Sequence, residues 1–168
     1  MYKIGEKIIY GAEGIMRIVD VEDVEIAGST AKYYVLESVE RPTAGRTYVP
    51  VENGQLVARM RPLLTREEVS ELLSSFGDLP TAEWTADSRS RAEHYRRIVE
   101  SGDRAMLLAM IRDIYAAGQR RRSEGKKNYV ADEAAMRRAE KLLYSELSEV
   151  LGIPESDVPE LIKNEIEK

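Results

Sequence analysis

The apolar residues of this 168-residue chain change period once, near Pro62, and the change divides it into two parts that cannot share one kind of secondary structure. Before Pro62, the runs "EKIIY", "GIMRIVDVEDVEI", "AKYYVLES", "RTYVPV" and "QLVARMRPL" are short and rich in Val, Ile and Tyr. Turn signals separate them at residues 11–14, at Gly28-Ser29, at 42–45 and at Asn53-Gly54. Five short strands at this spacing predict a small, strongly bent barrel or sheet. Asn53-Gly54 between apolar flanks reads as a two-residue hairpin turn, and Pro50 puts its strand at an edge.

After Pro62 the pattern is helical. Thr65 and Glu68 form a capping-box pair ahead of Val69, Leu72 and Leu73. Gly77 suits a C-cap, and Pro80 stops continuation. A second helix is predicted over 82–100, with Trp84 in or just before its first turn. Asp103 caps a third helix reaching about Arg121, with Leu107, Ile111, Ile114 and Tyr115 on its apolar face. A fourth helix is predicted over 131–151, with Met136, Ala139, Leu143, Leu147 and Val150 inward, and a short last helix follows "GIPESDVPE". The fold class is therefore α+β: a β domain over 1–63 and a helical bundle over 64–168.

Composition narrows the function. There is no Cys, which removes disulfides, thiolate metal sites and cysteine nucleophiles. The single His94 has neither a neighbouring base nor metal-ligand spacing, and the glycines at 5, 11 and 14 do not make a phosphate loop. The chain reads as a non-enzyme without cofactor, metal or small-molecule substrate. No apolar run is long enough for a membrane span, and the reading is of a soluble cytoplasmic protein.

Charge then points to a binding role. The net charge is −5, yet residues 84–127 carry 11 basic and 6 acidic side chains, a local +5. The only Trp in the chain, Trp84, opens this basic block and is followed by Arg89, Arg91, Arg96 and Arg97. Arginines neutralise phosphates, and a flat apolar ring can lodge at a weakly stacked base step in the minor groove. The bland counterpart is a packed Trp beside a solvated face with pairs such as Glu93 with Arg97. In the β part, "VEDVEIAG" and "RTYVPV" are candidate strand edges for a partner's sheet. The alternative for Val24 and Ile26 is that they fill a small core. "KYYV" offers stacking rings for RNA, but Tyr33 and Tyr34 point to opposite faces and the β part is not basic.

In this combination the chain resembles the CarD family of bacterial transcription regulators. The resemblance rests on "KIGEKIIYGAEGI", "IAGSTAKYYVLES" and "YVPVENGQLVARMRPL" in the β part. In the helical part it rests on "EWTADSRSRAEHYRRIVESGD", "IRDIY" and "RAEKLLYSELSEVLGI". The β part is also similar to the polymerase-interacting domain of transcription-repair coupling factors. The resemblance implies a Tudor-like β domain that docks on the RNA polymerase β subunit by strand-to-strand contact, around Val24, Ile26, Tyr48 and Pro50. It implies a helical domain lying on promoter DNA near the −10 element, with Trp84 as the minor-groove residue and the open promoter complex stabilised as a result. The DNA-contact set expected here is Trp84, Arg89, Arg91, Arg96 and Arg97, the arginines being chosen from local helical spacing. The competing expectation is a protein-only adaptor, in which the β domain binds polymerase and the helical domain binds another protein. The chain departs from the family at Gly11, which stands in place of a Pro, and at Met16, which stands in place of a Gly.

Overall fold

Five strands build one antiparallel sheet in the order β4-β3-β2-β1-β5. They are β1 (Lys7–Tyr10), β2 (Ile15–Ile26), β3 (Ser29–Ser38), β4 (Arg46–Pro50) and β5 (Met60–Pro62). This is a computed structural model, describing residues 1–81 and 84–166. The architecture is α+β, and the chain divides into two units, Met1–Leu63 and Leu64–Lys168.

The sheet packs Ile8, Tyr10, Met16, Ile18, Leu36 and Val49 into its core. Ile18 pairs with Leu36 and Val21 with Tyr34, although Ile18 and Val21 are three residues apart. A bulge between Ile18 and Asp20 absorbs the extra residue and keeps both side chains on the core face. The β2–β3 hairpin closes through Ala27 and Gly28, both at positive φ (50° and 79°). Such a two-residue loop matches the right-handed twist of its strands, and it places a non-glycine residue in a region that favours glycine.

One expected turn is something else. Asn53 caps a one-turn helix, α1 (Gly54–Val57), its Oδ1 accepting from the N–H of Leu56 at 3.1 Å. The strand expected from Gln55 begins only at Met60.

In the second unit, α2 (Arg66–Ser74) starts at the expected capping box: Thr65 Oγ1 accepts from Glu68 N–H at 3.1 Å, and the Glu68 carboxylate accepts from Thr65 N–H at 2.8 Å. Thr65→Ala should lower stability by about 1 kcal/mol while Thr65→Ser leaves it nearly unchanged. Urea unfolding checks this, and equal midpoints for Thr65→Ala and wild type would count against the cap. The helix ends at Ser75 rather than at Gly77, which lies inside the short 3-10 turn Phe76–Asp78. α3 (Ser88–Ser101) is capped by Asp87, so Trp84 precedes it; the expected start at residue 82 lies outside the described residues. Gly102 ends α3 at φ 61°, and Asp103 caps α4 (Arg104–Ser123) by accepting from Met106 N–H. α5 (Val130–Leu151) and α6 (Val158–Ile166) complete the unit.

Its core includes Leu73, Leu108, Met110, Ala139, Leu143 and Leu147. Tyr115, expected on the inner face of α4, is 56% exposed. It follows buried Ile114 by one residue, and about 100° of helix rotation carries it outward. No helix among the described residues is long and apolar enough to cross a membrane.

Candidate functional site

In the β unit, register decides which side chains act together. Directly opposed residues of an antiparallel pair share a face, and faces alternate along each strand. Pro50 opposes Tyr33, which opposes Glu22; Val24 and Ile26 follow Glu22 at steps of two. Tyr48 precedes Pro50 by the same step. Val24, Ile26, Tyr48 and Pro50 therefore lie on one face, together with Tyr33. Ile26 is 57% exposed and Tyr48 45%, while Val24 and Pro50 are half-buried. The Tyr33 and Tyr48 rings meet edge to face at 6.4 Å.

Two backbone edges border this face. β4 is the end strand of the sheet. β2 is paired by β1 only at residues 15–17, with further bonds from Gly5 and Glu6 at Ile18. Among the described residues, no other strand pairs the outer flank of Glu22 to Ile26. Open edges beside an exposed apolar face are what strand addition requires.

In the helical unit, Arg91 organises the surroundings of Trp84. Arg91 is 2% exposed. Its Nε donates to the carboxylate of Asp132 on α5 at 3.2 and 3.3 Å, and its Nη1 donates to the carbonyls of Thr85 (2.9 Å) and Ala86 (3.2 Å). The guanidinium carbon lies 4.7 Å from the Trp84 ring centre and 4.6 Å from that of Tyr129. Those two rings lie 6.5 Å apart at 28°. A second guanidinium, Arg121, sits 3.9 Å from the Tyr129 ring centre. Trp84 nevertheless stays 45% exposed, so it is held from one side and open on another.

The expected arginines separate into three kinds. Arg91 is corrected: it points inward and is consumed by Asp132 and the two carbonyls, so it is no phosphate contact. The buried positions of α3 run 91, 95, 98 and 99, a helical stripe that takes in Arg91 and leaves its neighbours outside. Arg89 is exposed, and Arg97 is exposed with Glu93 at 3.5 Å. Arg96 is exposed but bound by Glu93 (2.7 Å) and Glu100 (2.9 Å). Its hydrogen bond holds the Glu93 carboxyl below the usual carboxylate range. Exposed pairs of this kind are weak and exchange readily for a phosphate.

Local spacing on α3 missed the last turn of α4. Arg120 shares with Trp84 the walls of a cleft of about 910 Å³, and Arg121 and Arg122 share with Trp84 those of a smaller cavity of about 150 Å³. The signal was in the sequence as three consecutive arginines at a helix end, where cations also complement the helix dipole. His94 lines the larger cleft half-buried, and among the described residues its Nε2 has no hydrogen-bond partner.

Residues 2–64 match the family model of the CarD-like/TRCF RID domain. That family interacts with the β subunit of RNA polymerase. No curated protein matches the chain. The match ends at the start of the helical unit and takes in the whole sheet with its exposed face. Over residues 2–64 the chain is thus similar to the CarD-like/TRCF RID domain.

Proposed function

We propose that the protein is a transcription regulator: its β unit binds the RNA polymerase β subunit, and its helical unit contacts promoter DNA near the −10 element and stabilises the open complex. The polymerase half is supported by the family match and by the common face of Val24, Ile26, Tyr48 and Pro50 beside open strand edges. The observation that carries the DNA half is a half-exposed Trp84 whose neighbourhood is cationic, with Arg120 and Arg122 beside it and Arg89, Arg96 and Arg97 on the outer side of α3.

The energetics favour a tethered, modest DNA contact. Binding to polymerase raises the local concentration of the helical unit at the promoter, so weak contacts suffice. A ligand shifts an equilibrium only by its differential affinity for the two states. An apolar ring lodged at a base step costs less unstacking where the step is already weakened, as at the upstream edge of a melted region, than in intact duplex. About 1 kcal/mol of such preference lengthens the open complex about fivefold.

The test is the lifetime of open complexes on one promoter with cognate polymerase, alone, with wild-type protein and with Trp84→Ala. Wild type should lengthen the lifetime about fivefold, and folded Trp84→Ala should return it to the level of polymerase alone. A lifetime indifferent to wild type overturns the proposal and favours a protein-only adaptor. A lifetime lengthened equally by both overturns Trp84 as the DNA contact.

A further inference from the structure

We infer that Arg91 is a positioning residue for DNA contact, acting with Asp132 and Tyr129 to hold the Trp84 ring in the pose that meets the duplex. This rests on the DNA reading above. Trp84 lies in a polar stretch, "TAEWTADS", ahead of the first turn of α3, so apolar packing by its sequence neighbours does not fix it. Its fixed contacts are cationic and aromatic. Arg91 reaches back from α3, ties down the chain at the Thr85 and Ala86 carbonyls and lays its guanidinium against the indole.

The guanidinium is itself immobile. A buried charge cannot leave its counter-ion without a large penalty, and Asp132 anchors Nε from α5, 41 residues along the chain. Tyr129, at the N-terminus of α5, supplies a second ring to the same guanidinium. Among the described residues Nη2 has no hydrogen-bond partner, and the ring contacts offset its burial. A planar fork is essential: one nitrogen serves the carboxylate, another serves two carbonyls, and the plane lies against rings. A lysine offers a point charge and none of this geometry. Trp84 is thereby aimed by a buried Arg91–Asp132 pair that lies beneath the exposed ring.

The decisive experiment is a double-mutant cycle on the full chain, reading affinity for a forked promoter duplex by fluorescence anisotropy. Arg91→Lys should weaken binding about fivefold when Trp84 is present and less than about twofold in the Trp84→Ala background. Equal losses in both backgrounds overturn the inference, because Arg91 then acts on the fold or touches DNA itself. Tyr129→Leu should reproduce the pattern and Tyr129→Phe, which keeps a ring, should match wild type. This pair decides the question if Arg91→Lys fails to fold. The single Trp provides a readout free of DNA. Iodide quenching of its fluorescence should rise in Arg91→Lys and in Tyr129→Leu. Should wild type not bind the fork, the DNA reading falls, and unchanged quenching in both variants would in addition overturn Arg91 and Tyr129 as the holders of the ring.

Discussion

Glu146→Ala should destabilise the helical unit by about 3–5 kcal/mol, the loss expected when one partner is removed from a buried ion pair. Glu146 is 2% exposed, on α5. Its Oε1 accepts from the Leu64 N–H at 2.9 Å and from Arg104 Nη2 at 2.7 Å, and its Oε2 accepts from Arg104 Nε at 3.0 Å. One carboxylate therefore joins the first residue of the unit, the first turn of α4 and the C-terminal third of α5. Truncation removes the bidentate partner of a mostly buried guanidinium and the acceptor of a backbone N–H. Glu146→Gln keeps the shape and one acceptor and should cost less, about 1–2 kcal/mol. Urea unfolding followed by the helical circular dichroism signal measures both. The contrast is Glu93→Ala, which breaks the exposed pairs to Arg96 and Arg97 and should change stability by less than about 0.5 kcal/mol. Equal effects for Glu146→Ala and Glu93→Ala would mean that burial does not strengthen the Glu146 pair.

Local interactions were legible in the sequence, and long-range ones were not. Thr65 with Glu68, and Asp103 ahead of α4, are caps whose donors lie within three residues, so sequence alone identifies them. Asn53 misled because one side-chain oxygen serves a turn and a helix cap equally well, and only the following residues choose between them. The common face of Val24, Ile26, Tyr48 and Pro50 depends on the pairing register and on the bulge at Val19, and neither is encoded in a local pattern. Arg91 reads as a surface residue in the sequence because its partner Asp132 is remote and lies in the first turn of another helix. Arg120 and Arg122 are not legible as neighbours of Trp84, because helical spacing relates residues on one helix and cannot bring a second helix beside it.

The sheet face yields the other large effect. Tyr48→Asp and Ile26→Asp should each weaken binding to the polymerase β subunit by about thirtyfold or more, the level of an interface hot spot. Both side chains are exposed, so a carboxylate there is solvated in the unbound protein and the sheet stays folded. On binding it would be desolvated against an apolar partner surface without a counter-ion, which is what makes the loss large. Glu25→Ala, one residue from Ile26 and on the opposite face, should leave affinity within about twofold. Titration calorimetry with the isolated β-subunit lobe measures all three. Unchanged affinity in both aspartate variants would remove this face from the polymerase contact. The relative size of the two losses also identifies the strand that the partner pairs with. Tyr48 lies on the end strand β4, and Ile26 lies at the tip of β2, beside its unpaired flank. A loss dominated by Tyr48 assigns docking to the β4 edge, and a loss dominated by Ile26 assigns it to the flank of β2.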